Sequence, residues 1–301
     1  MKKTGFNIYF IMILLGASMW GTAGIFVRTA EKYGISEMQI VLLRTLFSAL
    51  VLGVIILVRD RKAFAVKAKD IPLFAAAGIM SIVLFNFCYY KTMSLTSLSV
   101  AAVLLYTAPF FVVIMSVFIF RQRLTLKKCV ACVTAFIGCC LVTGAFSSGE
   151  SISAQALFFG ILTGFGYSLY TIFSRLLIDR EYGSLTITFY TFVFAFVGCL
   201  PFSDIAETVQ RCGASLYVPL VTFLMALFNT VIPYLLYTAG LKGVDPSAAP
   251  IIAMVEPVVA TLTGIFVYSE PLTLSGAVGM IIVLLSVFIL NMKGGKKDGF
   301  A

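Results

Sequence analysis

Glu256 stands near the middle of the apolar run 248–268 and is its one charged residue. An ionised carboxylate at the centre of a bilayer costs about 2.5–3.5 kcal/mol on insertion scales, so such a residue has by default a function or a partner. A carboxyl that holds a proton at rest is a candidate proton or amine site; one held by Arg44 or by hydroxyls is structural. Arg44 lies about 8 Å inside its own run by helical rise. It either binds a carboxylate or snorkels to the interface and braces the bundle, as long side chains near helix ends do. Pro257 follows Glu256, and Pro109 lies near the centre of the run 98–120. Each removes a backbone donor and deprives the carbonyl four residues earlier, Leu105 or Ala253, of its helical partner. In hydrocarbon that carbonyl is tolerated only where protein or a water-lined cavity satisfies it, so the pair predicts a shared central cavity, or plain kinks that help packing. Trp20, Asn86, Tyr90, Tyr106, Tyr167, Tyr170, Asn229 and Tyr234 offer apolar faces with polar tips or amides, suited to amphiphilic or cationic ligands. Beside Glu256 a lane of small residues, Ala249, Ala253, Ala260 and Gly264, predicts close packing on a neighbouring helix.

Positioning these groups needs long apolar elements, and the composition supplies them. Of 301 residues, 60% are hydrophobic and 12% charged, with mean hydropathy +1.04. That is more apolar surface than a soluble domain of this size can bury, so a lipid bilayer must cover the rest. Ten apolar runs, 6–27, 39–58, 71–90, 98–120, 129–146, 152–173, 185–202, 218–237, 248–268 and 272–290, can each cross roughly 30 Å of hydrocarbon. The first is too long for a signal's apolar core and is read as a retained helix.

A net charge of +9 would suggest nucleic acid in a soluble protein, but its placement points to a membrane. With the N-terminus inside, 17 of the 22 Lys and Arg fall in cytoplasmic segments: Lys2, Lys3, those of 59–69, 121–128 and 175–180, Lys242, Lys293, Lys296 and Lys297. Outer segments or their edges hold Arg28, Lys32, Lys91 and Arg211. The bias predicts both termini in the cytoplasm. Most of the seven cysteines lie in or at apolar runs and read as small packing residues. Cys129 and Cys132 form a C-x-x-C, but no His and no second pair accompanies it.

The chain repeats itself. The segment starting at Ser97 matches the one starting at Asp245 without a gap: Ala101 pairs with Ala249, Pro109 with Pro257, Phe118 with Phe266, and Leu124-Thr125-Leu126 with Leu272-Thr273-Leu274, all 148 residues apart. Trp20, Ile25, Phe26 and Arg28 fall opposite Tyr167, Ile172, Phe173 and Arg175 at an offset of 147. Five spans per half is an odd number, so equivalent helices must run in opposite directions, which is the inverted repeat of many secondary transporters.

Trp20-Gly21, Arg44, Pro109, Glu256-Pro257 and the junction Ser269-Glu270-Pro271-Leu272-Thr273 resemble the drug/metabolite transporter superfamily in its EamA-type ten-helix class, over about 8–291. The junction resembles the family's Gly-Glu-x-Leu-Thr, with Gln122 in place of the acid in the first copy. The resemblance implies an all-α integral membrane protein of ten transmembrane helices. It also implies two EamA-like repeats, 8–144 and 152–291, followed by a basic cytoplasmic tail, 292–301, and a central cavity for a small solute; members carry amino acids, amines, drugs and purines, and export is the family's tendency.

Arg44 and possible help from Lys91 are too few cations for a nucleotide or sugar-phosphate cargo, so neutral, zwitterionic or cationic metabolites fit better. Protons are the candidate coupling partner, through Glu256; no cofactor and no nucleic acid are expected. No G-x-x-x-x-G-K-[ST] loop is present, which excludes ATP hydrolysis within this chain. An intramembrane enzyme would need convergent acids, metal ligands or a nucleophile with its base, whereas the chain has no His and one deep acid. A channel would need polar stripes along several helices; a non-transporting receptor is the remaining alternative.

Overall fold

The computed structural model describes residues 8–144 and 152–291, the side chain of Asn291 excepted. The expected tail 292–301, Lys2, Lys3, Lys293, Lys296, Lys297 and the run ends Phe6 and Phe146 lie outside the described residues. Regular structure within them is entirely helical.

The first half runs through α1 (Ile8–Trp20), α2 (Ala23–Glu31), α3 (Glu37–Arg59), α4 (Ile71–Gly78), α5 (Leu84–Leu95), α6 (Leu98–Leu105), α7 (Ala108–Phe120) and α8 (Leu126–Val142). The second runs through α9 (Ala154–Asp179), α10 (Ser184–Cys199), α11 (Ile205–Ala214), α12 (Tyr217–Met225), α13 (Ile232–Gly240), α14 (Ala249–Ala253), α15 (Glu256–Tyr268) and α16 (Leu274–Asn291). Taken as stacked pieces, eight helices among the described residues are long and apolar enough to cross a membrane. The other two expected spans are shorter: α8 has 17 residues and α16 has 18.

Caps set where helices begin. Ser97, Thr125, Ser153 and Asp204 accept from backbone N–H groups three residues on, and the Gln39 side chain accepts from the Ser36 N–H at 2.8 Å; each satisfies a donor that the helix itself leaves open. Prolines set where helices break. Pro109 and Pro257 fall in the opening turns of α7 and α15, where the missing N–H costs nothing, so the expected kinks become breaks at Tyr106–Thr107 and Met254–Val255. Pro233 likewise opens α13 behind a π-helical turn, Ala226–Val231. A second π-helical turn, Ile79–Val83, joins α4 to α5.

The repeat is visible in the backbone as well. The two π-helical turns start 147 residues apart, and α7 and α15 both end on a left-handed residue, Arg121 (φ 51°) and Ser269 (φ 56°). Phe118 and Phe266, 148 apart, are 80% and 81% exposed, as side chains facing lipid would be. One element departs from the pattern: α1 and α2 are separated at Gly21–Thr22, whereas α9 runs unbroken through the equivalent place.

The halves interleave. α1 packs on α13 and α9 on α5; α1 also meets α14 and α15 while α9 meets α6 and α7; α3 packs on α10, and α8 on α16. The α8–α16 contact closes over Gly138 and Gly279, where a Cβ on Gly279 would stand 2.7 Å from the Gly138 carbonyl oxygen; small residues permit that approach. A continuous core at the centre joins Phe10, Ile13, Val41, Tyr170, Tyr234, Ile252 and Val258 from both halves.

Candidate functional site

Where the interrupted helices meet, the bundle holds a cavity of about 570 Å³. The α14–α15 break places Glu256 in the first turn of α15, where the free N–H groups of a helix start favour a carboxylate. Tyr167 of α9 donates to its Oε2 at a long 3.4 Å. The α6–α7 break presents Leu105 and Tyr106 to the same space, and the α1–α2 break presents Trp20, Gly21 and Gly24. At Gly21 the helices touch backbone to backbone: a Cβ would lie 2.6 Å from the Glu256 carbonyl oxygen.

Of the residues singled out in the sequence, Trp20, Arg44, Asn86, Tyr90, Tyr106, Tyr167, Asn229, Tyr234, Glu256 and Pro257 line this cavity. Pro109 does not: it is buried in α7, because a proline opens the backbone on its N-terminal side and leaves Leu105 and Tyr106 as the lining. Tyr170 does not either. It packs at 4.8 Å on Tyr234 and shares a 2.6 Å hydrogen bond with Thr238, beneath the cavity floor. The small-residue lane divides. Ala249 and Ala253 are buried, as packing requires, but Ala260 and Gly264 face the cavity, because α15 has its free side there.

Trp20 is the hub of the floor. Its ring meets Tyr234 at 5.0 Å, Tyr237 at 5.3 Å and Tyr167 at 6.3 Å, and its buried Nε1 has no hydrogen-bond partner. The Arg44 Nη2 donates to Asn86 Oδ1 at 3.1 Å, and Asn86 in turn donates to the Ile82 carbonyl at 2.7 Å. Asn229 donates to the Met19 carbonyl at 2.6 Å, an acceptor it shares with the backbone N–H and the hydroxyl of Thr22 at the α1–α2 break.

The two ends of the cavity differ. Beneath the floor, Tyr170–Thr238 and a 2.8 Å hydrogen bond between Thr171 and Tyr237 close the way, leaving a void of about 10 Å³. Arg175 donates to the Leu241 carbonyl at 2.9 Å below that seal. On the same face Lys128 pairs with Asp245 at 2.9 Å, Ser247 donates to Gln122 at 2.7 Å, and the Asp70 carboxylate is bound by Arg180 and Tyr182. At the opposite, open end stand Glu31, Tyr268 and an ion pair, Arg28 to Glu270 at 2.7 Å, with Arg28 lying 4.4 Å over the Tyr268 ring. Sequence reasoning left Arg28 as an edge residue and gave Glu270 no partner. Phe85, Tyr89, Ser99 and Thr143 also line the cavity without having been singled out. Of these Tyr89 and Ser99 had a signal, since they pair with Tyr237 and Ser247 at the repeat offset.

All seven cysteines are free, and among the described residues no group of His, Cys, Asp or Glu could hold a metal ion.

Comparison with known proteins gives this architecture a family. A model of the EamA-like transporter family matches residues 7–144 and again 154–292. An uncharacterized transporter of Archaeoglobus fulgidus is 28% identical over 94% of this chain and 98% of its own length. The uncharacterized inner membrane transporter YicL of Salmonella typhimurium is 25% identical over 95% of each. One crystal structure superimposes with a TM-score of 0.77 over 93% of this chain and 95% of its own, at 14% identity, a likeness of fold. With its apolar helices the chain is a multi-pass membrane protein, and with one copy of the family's unit in each half it belongs to the EamA-like transporter family.

Proposed function

We propose that this protein is a secondary transporter that exports small neutral, zwitterionic or cationic metabolites, amino acids and amines among them, across the cytoplasmic membrane, with protons carried on Glu256. Ten spans in two oppositely directed five-helix repeats, both chain ends in the cytoplasm and the open end of the cavity outside belong to the same reading. α8 and α16 cross as the two short spans, at about 26 Å by helical rise, within what local bilayer thinning accommodates.

One observation carries the proposal: a cavity between the halves, open at one end and sealed at the other, with Glu256 inside it. The packing supports the inversion. A two-fold exchange of halves turns α1 on α13 into α9 on α5, and α9 on α6 and α7 into α1 on α14 and α15; with five spans per half such an axis lies in the membrane plane. The seal residues Tyr170, Thr171, Tyr237 and Thr238 then have Ala23, Gly24, Tyr89 and Tyr90 as repeat equivalents, and all four line the open cavity. Closing the mouth over those four while the seal parts is alternating access, and the cargo crosses with Glu256 as its contact and proton carrier.

Counterflow in proteoliposomes with labelled amino acids, amines and bases tests the reading. Wild type should exchange at least one class and respond to a proton gradient, and Glu256→Gln should lose that response and exchange the same compounds more weakly. Exchange indifferent to the gradient and unchanged in the variant removes the coupling, and no exchange with any compound removes the transport reading.

A further inference from the structure

The cavity holds the Arg44 guanidinium and the Glu256 carboxyl group, and among the described residues neither has an ion-pair partner. Arg44 carries a fixed guanidinium charge, yet its one recorded partner is the neutral amide oxygen of Asn86. Its Nε is buried and donates to nothing. Glu256 has only the distant hydroxyl of Tyr167. No ion pair joins Arg44 or Glu256 to any group among the described residues. The cavity's other carboxylates, Glu31 and Glu270, are exposed, and Glu270 is already paired with Arg28.

Arg44 and Glu256 are each half-buried, and a half-buried charge without an ion-pair partner has given up hydration that an oppositely charged ligand can make good. A brace would pair Arg44 with a carboxylate, which is the partner a guanidinium fork fits best. Tyr234 lines the same cavity as Arg44 and Glu256, and its ring meets Trp20 edge-on at 5.0 Å.

We propose that Arg44 binds the carboxylate of the cargo while Glu256 binds its ammonium, so that the cavity selects a zwitterion carrying both groups on an apolar or aromatic body over an amine alone. This rests on the transport reading for its purpose but not for its test. Trp20 is the single tryptophan of the chain and lines the cavity, so its fluorescence reports binding whether or not anything is carried.

The purified full-length protein in detergent is titrated with leucine, leucinamide and isoamylamine, followed by Trp20 fluorescence, using wild type, Arg44→Gln and Arg44→Lys. Wild type should bind leucine more tightly than the two compounds without a carboxylate. Arg44→Gln should weaken leucine by roughly 10–100-fold, the value of a charged hydrogen bond, and change leucinamide and isoamylamine less than about twofold. Arg44→Lys should fall between, because it keeps the charge and loses the fork. Equal weakening of all three compounds in Arg44→Gln with a lower melting temperature would make Arg44 a brace and overturn the proposal. Preference for isoamylamine over leucine in wild type, or no fluorescence change with leucine up to its solubility, would overturn it as well. Leucine binding that depends on Arg44 without any counterflow would uphold the proposal and defeat the transport reading instead.

Discussion

Arg28 reaches Glu270 at 2.7 Å across the open end of the cavity, but the residues at the equivalent positions of the opposite halves, Arg175 and Gln122, do not meet in this way. Arg175 donates to the Leu241 carbonyl, and Gln122 accepts from Ser247. The repeat-equivalent positions at the two ends are therefore joined differently, by an ion pair at the open end and by neutral hydrogen bonds to other groups at the sealed one. With side chains 46% and 48% exposed, the ionic pair contributes about 0–1 kcal/mol to stability. Glu270→Gln should leave the melting temperature nearly unchanged and alter the exchange rate, and the double reversal Arg28→Glu with Glu270→Arg should restore the wild-type rate. Stopped-flow exchange at low and high salt measures this, and a salt effect lost in Glu270→Gln is the expected signature.

Gly24 and Gly21 should respond in opposite ways. A Cβ on Gly24 meets nothing within 4 Å, whereas on Gly21 it would press on the Glu256 carbonyl and the Val259 Cβ. Gly21→Ala should cost about 1–3 kcal/mol by overpacking. Gly24→Leu should change stability by no more than about 0.5 kcal/mol and still stop transport, since Gly24 corresponds to Thr171 of the seal. Thermal unfolding beside counterflow separates the two.

The seal itself can be loosened at one atom. Tyr237→Phe deletes the 2.8 Å hydrogen bond and leaves the buried Thr171 hydroxyl unpaired, at about 0.5–2 kcal/mol. Labelling of a cysteine placed at Ser174, beneath the seal, by a cytoplasmic-side reagent should rise several-fold in that variant.

Cys212, in α11, tests the orientation. Its segment is expected outside, and burial pushes its thiol up from the usual range. The thiolate is therefore scarce at neutral pH, and reaction should speed up as pH rises. In intact cells an impermeant maleimide should label Cys212 slowly at pH 7 and faster at pH 8.5, with Cys212→Ser abolishing the signal. Labelling only after the cells are opened would reverse the assignment of faces.

The repeat, the proline-marked bends and the lone acid were legible because each rests on residue identity: two prolines and two Leu-Thr-Leu triplets in register, and one carboxylate in an apolar run. What a residue does at a distance was not. Pro109 carries its signal, but the consequence falls on Leu105 and Tyr106, on the preceding turn. Tyr170 is distinguished from Tyr167 only by Thr238, 68 residues on. Arg28 and Glu270, 242 residues apart, look like ordinary interfacial charges until the bundle brings them together. Nor did Trp20-Gly21-Thr22 announce a broken helix, and the close approach of the α15 backbone at Gly21 is a contact that no local residue pattern shows.

That break has no counterpart in α9. In a transporter of the proposed kind, duplicated units that stayed alike would leave its two end states equally populated at rest. One jointed arm and one rigid rod would remove that degeneracy and give the unloaded protein a preferred stance for binding free energy to overturn in every cycle.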